Sequence, residues 1–193
     1  MRKLYLPAAV LSAVFAIACN NSHTTATKVE TEKITTSEDL ATRGKYLVDI
    51  MGCNDCHSPK IMTPHGPVPD TNLLLSGHPS AMPIGPIDTT TLRSWVLFNP
   101  IQTACAGPWG VSFSANLTSD DSGIGTWSEA QFMKAIREGK FKGMDNGRML
   151  LPPMPWQAFA KATDNDLKAI FAYLKSTKPV HNVVPPPIPL KQG

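Results

Sequence analysis

The chain is 193 residues long, 42% hydrophobic and 17% charged, a balance that excludes a wholly disordered protein and suits one domain once a leader and a tether are set aside. Its formal charge is +3, but Arg2 and Lys3 stand in the leader. The remainder holds 16 basic against 15 acidic residues, which gives no reason to expect nucleic acid as a partner. Eighteen prolines predict long, stiff, irregular loops between few helices.

Residues 1–18 read as an export signal: Arg2 and Lys3, then an apolar run from Leu4 to Ala18 that is short for a membrane span. A retained anchor helix is the alternative. The run ends in Ala16-Ile17-Ala18-Cys19, which resembles a bacterial lipoprotein box with alanine where leucine is usual, three before the cysteine. On that reading the mature chain begins at a lipidated Cys19, and acyl chains hold it at the outer or periplasmic face of a membrane. A soluble secreted form is the alternative. Residues 19–38 form the lipidated N-terminus and a tether of Thr, Ser, Lys and Glu with a root-mean-square reach of about 25 Å.

The domain itself is expected over 39–178. A first helix begins at about Ser37 or Glu38, with Leu40, Tyr46, Leu47, Ile50 and Met51 as its apolar stripe. Gly44 within that stripe predicts another helix crossing closely. From Ser58 to Ser112, nine prolines break any long element. Leu73-Leu74-Leu75 and Leu92 to Leu97 read equally as short strands or a helical turn. So long a loop inside a domain is expected to wrap something. His65 and His78 in it read as solvated loop residues. Thr126-Trp127-Ser128-Glu129 reads as a capping box opening a helix with Phe132, Met133 and Ile136, closed by Gly139. Thr163 to Asp166 opens a last helix with Leu167, Ile170, Phe171 and Leu174, closed by Pro179. Residues 179–193 are a proline-rich tail that either folds back or hangs free.

The chemistry concentrates in Cys53-Asn54-Asp55-Cys56-His57, a C-x-x-C-H run of the kind that attaches c-type haem. On a helix, Cys53 and Cys56 lie one turn apart on one face, so each thiol can add to one vinyl group of a porphyrin edge. His57 is then left beneath the ring with an imidazole nitrogen aimed at iron. One such run predicts one covalent haem c. Half a zinc site and a dithiol redox pair are the alternatives; zinc needs two more ligands at matching spacing, and the dithiol wants strand–helix alternation. Cys105, left over, reads as a small buried residue rather than half of an intermolecular disulfide.

High-potential haem c needs a soft ligand opposite His57, and a methionine thioether suits it. Met154 is the candidate, because it stands in Leu151-Pro152-Pro153-Met154-Pro155-Trp156, stiffened by fixed proline φ angles. A core methionine is the competing reading. Met149 and Met144 are the alternatives as ligand.

Together these residues resemble class I c-type cytochromes, and within them the bacterial cytochrome c subunits or domains of membrane dehydrogenases. The resemblance runs from Arg43-Gly44-Lys45-Tyr46-Leu47 through the C-x-x-C-H run. It resumes at Ser114 to Asp120, Gly123-Ile124-Gly125-Thr126-Trp127-Ser128 and Met154-Pro155-Trp156, and ends at Asp164 to Ile170 and Ala172-Tyr173-Leu174. It implies an all-α, cytochrome c-like fold, with first and last helices crossing near Gly44 and Tyr173 and the proline-rich segment wrapping the haem. It implies His57/Met154 ligation and makes Asn116 and Trp127 candidate neighbours of the haem propionates. Two features depart from it: the chain has a single haem run where many members carry two or three, and the Asp70–Trp109 segment is longer than the resemblance implies.

The expected function is an exported monohaem electron carrier, not itself an enzyme. It would take single electrons from a dehydrogenase and pass them to an oxidase or another cytochrome. A fixed electron-transfer subunit of a dehydrogenase complex is the nearest alternative. A haem enzyme or gas sensor with an open iron site is the other.

Overall fold

The computed structural model describes residues 37–190. The export signal, Cys19 and the tether lie outside those residues. Helix α1 spans Ser37–Ile50 and α2 spans Cys53–His57. A hairpin follows, β1 (Lys60–Thr63) and β2 (Gly66–Pro69), and then a sheet of β3 (Leu97–Phe98), β4 (Ala104–Gly107) and β5 (Gly110–Phe113). Helices α3 (Glu129–Glu138), α4 (Trp156–Phe159) and α5 (Asp164–Ser176) complete the order.

The expectation of an all-α fold is therefore overturned. The segment read as irregular builds two antiparallel sheets, one of two strands and one of three in the order β3-β4-β5. The physical reason lies in where the prolines stand. Pro67 and Pro69 occupy alternate positions of β2, opposite Met62 and Lys60. Alternate residues of a strand turn their N–H groups to the same edge, so both missing donors fall on one side and the ladder on the other is spared. In the second sheet Gly107 pairs with Gly110 across the Pro108-Trp109 turn. Leu92 to Leu97, read two ways from sequence, divides into a 3-10 turn at Thr91–Arg93 and the start of β3.

The helices follow the sequence more closely. Helix α1 crosses α5, and Gly44 is the point of closest approach: a Cβ there would stand 1.9 Å from the Ala169 carbonyl oxygen and 2.7 Å from Tyr173 Cβ. Arg43 clamps the crossing through Asp166 at 3.0 Å. Thr163 caps α5 by accepting from the Asp166 amide at 3.1 Å. Helix α3 is capped two residues later than expected, because Ser128, not Thr126, accepts from the Gln131 amide. Ser128 and Gln131 form the S-x-x-Q version of the same box.

The main core gathers Leu47 and Val48 of α1, Leu75, Ile124, Phe132 of α3, and Leu167, Ala169, Ile170 and Leu174 of α5. Each large side chain sealed there contributes roughly 1.5–3 kcal/mol. A second cluster, Leu92, Ala104, Ala106 and Val111, lies under the three-stranded sheet. The tail folds back along the body. Val111 and Ile188 exchange backbone hydrogen bonds at 2.7 and 2.9 Å, and the buried Asn182 amide donates to the carbonyls of Ser76 and His78.

Candidate haem-attachment site

Helix α2 consists of the five residues of the C-x-x-C-H run and nothing else. It starts from Gly52, whose φ of 70° lies in the left-handed region that favours glycine. A five-residue helix has almost no intrinsic stability, so tertiary partners must hold it. The His57 carbonyl accepts from the Gly77 amide at 2.8 Å. The buried Ser58 hydroxyl donates to the Asn54 side chain at 2.7 Å and accepts from the Leu75 amide at 2.8 Å. Lys60 Nζ donates to the carbonyls of Asn54 and Asp55 at 2.9 and 3.0 Å, and to that of Ser58.

His57 Nδ1 lies 2.8 Å from the carbonyl oxygen of Ala115. A carbonyl only accepts, so Nδ1 carries the proton and Nε2 keeps its lone pair. That is the tautomer a metal-ligating histidine needs, with its other nitrogen oriented by a backbone acceptor. Burial holds the imidazole pKa below the usual histidine value, with the Ala115 bond opposing, which keeps the ring neutral. Gly77 makes this contact possible. Its φ is 77°, and a Cβ on it would meet Ser114 O at 2.5 Å and Ala115 O at 2.7 Å.

Cys53 and Cys56 are free thiols, both half-buried. Burial pushes Cys53 up to about 11 and raises Cys56 as well. A dithiol redox pair depends on a lowered thiol pKa, so that alternative loses its chemical basis. Among the described residues no group of three or more His, Cys, Asp or Glu is gathered that could hold a metal ion, so the tetrahedral set a zinc site needs is not assembled. The donor set fits a covalent haem: two thiols a turn apart and a neutral imidazole with a free nitrogen.

The other candidates lie as follows. Met154 is half-buried in the loop before α4, and its amide donates to the Leu151 carbonyl at 3.2 Å. Met144 and Met149 are 54% and 42% exposed, which makes either a poorer candidate for a ligand shielded from water. Trp127 is half-buried against the main core. Asn116 is buried; its amide donates to Val180 O at 2.8 Å and its oxygen accepts from the amide and hydroxyl of Thr118. His65 is exposed in the β1–β2 turn. His78 differs from its reading as a solvated residue: it is fully buried, with Nδ1 on the Thr103 hydroxyl at 2.9 Å and Nε2 on the Met82 carbonyl at 3.3 Å. Cys105 is buried in β4, and burial first, the nearby Cys56 second, push its thiol up to about 11.

Sequence reading missed Ala115, Lys60 and Ser112. Ala115 acts through a backbone atom 58 residues from His57 and leaves no side-chain signal. Ser112 of β5 reaches across to the Pro152 carbonyl at 2.6 Å, bracing the Met154 loop.

No family model matches the chain. It is 32% identical to the gluconate 2-dehydrogenase cytochrome c subunit of Pantoea cypripedii over 150 residues, which are 77% of this chain and 24% of that protein. Its homologues are cytochrome c subunits of dehydrogenases. The resemblance to c-type cytochromes of that branch therefore stands. The cytochrome c subunit of alcohol dehydrogenase (quinone) from Gluconobacter oxydans (strain 621H) is 28% identical over 145 residues, 74% of this chain and 23% of that protein. The fructose dehydrogenase cytochrome subunit of Gluconobacter japonicus is 39% identical over 79 residues, 40% of this chain and 16% of that protein. The chain thus matches less than a quarter of the length of each of these cytochrome relatives. Among the described residues, no helix is long and apolar enough to cross a membrane.

Proposed function

We propose that the chain is an exported haem c protein that passes single electrons as the cytochrome component of a dehydrogenase system. One haem would be attached at Cys53 and Cys56 and ligated by His57 and Met154. The observation that carries this reading is the His57–Ala115 hydrogen bond, which leaves Nε2 free beside two unpaired thiols a helical turn apart. When bound, the haem supplies a one-electron ferric/ferrous couple, with no bond to substrate made or broken. The chain's own task is to hold the imidazole neutral and oriented, to seal the site with the Met154 loop, and to present a docking surface.

The donor would be the reduced dehydrogenase and the acceptor an oxidase or another cytochrome. A fixed subunit accounts for the names of the relatives at least as well as a free shuttle does. A lipidated Cys19 and a tether over 19–38 would hold either form at a membrane face. Asn116 and Trp127 remain proposed as neighbours of the haem propionates.

The test is the mass and colour of the chain purified from an exporting, haem-maturing host. The wild type should be red and heavier by one haem. The double variant Cys53→Ser/Cys56→Ser should be colourless or release its haem on acid extraction. A colourless wild type would sink the reading.

A further inference from the structure

Lys60 is a lysine in an unusual setting. It is only 9% exposed, and its three hydrogen-bond acceptors, the carbonyls of Asn54, Asp55 and Ser58, all belong to the backbone. A helix leaves its last carbonyls without intrahelical donors. In α2 the shortage has a specific cause. The donor that would close the bond to Asp55 O is the amide of residue 59, and Pro59 has none. Ser58 has already turned extended, with φ −116° and ψ 123°. The ammonium of Lys60 replaces those donors and sits at the negative end of the helix, where a cation is favoured.

We propose that Lys60 is a positioning residue of the haem site: it clamps the carboxyl end of the helix that carries Cys53, Cys56 and His57 and holds a fixed positive charge beside the iron that favours the ferrous state. The proposal rests on the haem reading given above but not on Met154 as the second ligand. The clamp and the charge act together. The clamp keeps His57 in register with Ala115, and the charge stands in a largely dehydrated place where it is weakly screened. Surface lysines of this chain lack that geometry; Lys45, for example, is 60% exposed and paired with Asp49.

The experiment compares the full-length haem-loaded protein with its Lys60→Met and Lys60→Arg variants by spectroelectrochemical titration, with amide exchange across residues 53–58 as a second readout. Lys60→Met should attach haem, exchange those amides faster, and fall in reduction potential. A tenfold loss in the equilibrium constant for reduction corresponds to about 59 mV for one electron. Lys60→Arg should keep most of the potential. An unchanged potential in Lys60→Met overturns the proposal, and so does an equal fall in Lys60→Arg, because the effect would then not follow the charge. If Lys60→Met does not accumulate, Lys60→Gln is measured with the same two outcomes. A wild-type chain that purifies without haem is a separate result: it contradicts the haem reading itself and takes this proposal with it.

Discussion

The hydroxyl of Ser112 lies 2.6 Å from the carbonyl oxygen of Pro152, and this single bond ties the three-stranded sheet to the loop that carries Met154. The same hydroxyl receives the Trp109 indole N–H at 3.3 Å and lies 3.2 Å from the Cys105 carbonyl. The sheet, built from a segment longer than the resemblance implies, thereby acts as a brace. Ser112→Ala removes the bond and leaves a half-buried indole donor without its partner. It should cost about 1 kcal/mol in denaturant unfolding. It should also weaken the spectral signature of sulfur ligation at constant haem content. Unchanged stability and spectrum would show that the sheet does not support the loop.

Gly77 joins the two halves of the His57 environment. Its amide holds the His57 carbonyl, and its bare Cα lets Ser114 and Ala115 pass. Gly77→Ala meets both a positive φ, worth roughly 1–2 kcal/mol against an L side chain, and a Cβ overlap with two carbonyls. We expect a fall in the denaturation midpoint of the haem-loaded protein and a loss of haem attachment in the exporting host. Normal loading and stability would mean that the 76–78 segment does not set the histidine.

His78 sets a pH dependence whose sign follows from its burial. Burial holds its folded pKa below the ordinary 6.5, with the bond to Met82 O opposing. Between that lowered value and 6.5 the unfolded chain binds more protons than the folded one, so stability rises with pH. The stability is complete above about pH 6.5 and is lost as pH falls toward and through the folded pKa. His78→Gln cannot titrate. It should be less stable than wild type at pH 7 and show a flatter slope between pH 6.5 and 5 in urea titrations. An equal slope in both proteins would assign the effect elsewhere.

The three long helices were legible because each is an amphipathic repeat with its own stop signals. Gly44 was legible for the same reason, since a small residue inside an apolar stripe implies a close neighbour. The sheets were not. Strand β4 is Ala-Cys-Ala-Gly, with none of the β-branched residues that mark a strand, and β2 carries two prolines at positions where a ladder happens to tolerate them. The cap of α3 was misread because Thr126 and Ser128 both begin a box, and only the path of the chain through the Trp127 turn decides between them. In the site, the thiols and the imidazole were legible because their spacing is the chemistry. Ala115 was not, since a carbonyl carries no residue-type signal. Lys60 left a faint one: a proline directly after the capping serine removes a donor that something nearby must replace.

The central claim is that one haem is held by Cys53, Cys56 and His57 with Met154 closing the second axial position. The most direct measurement is the optical spectrum of the purified haem-loaded protein beside Met154→Ala, ferric and ferrous, with and without carbon monoxide. The wild type should show the weak far-red ferric band of sulfur–iron ligation and resist carbon monoxide when reduced, while the variant should lose the band and bind the gas. Identical spectra would contradict Met154 as the ligand, and a wild type that lacks the band and binds carbon monoxide freely would replace the electron carrier with an open-site haem protein.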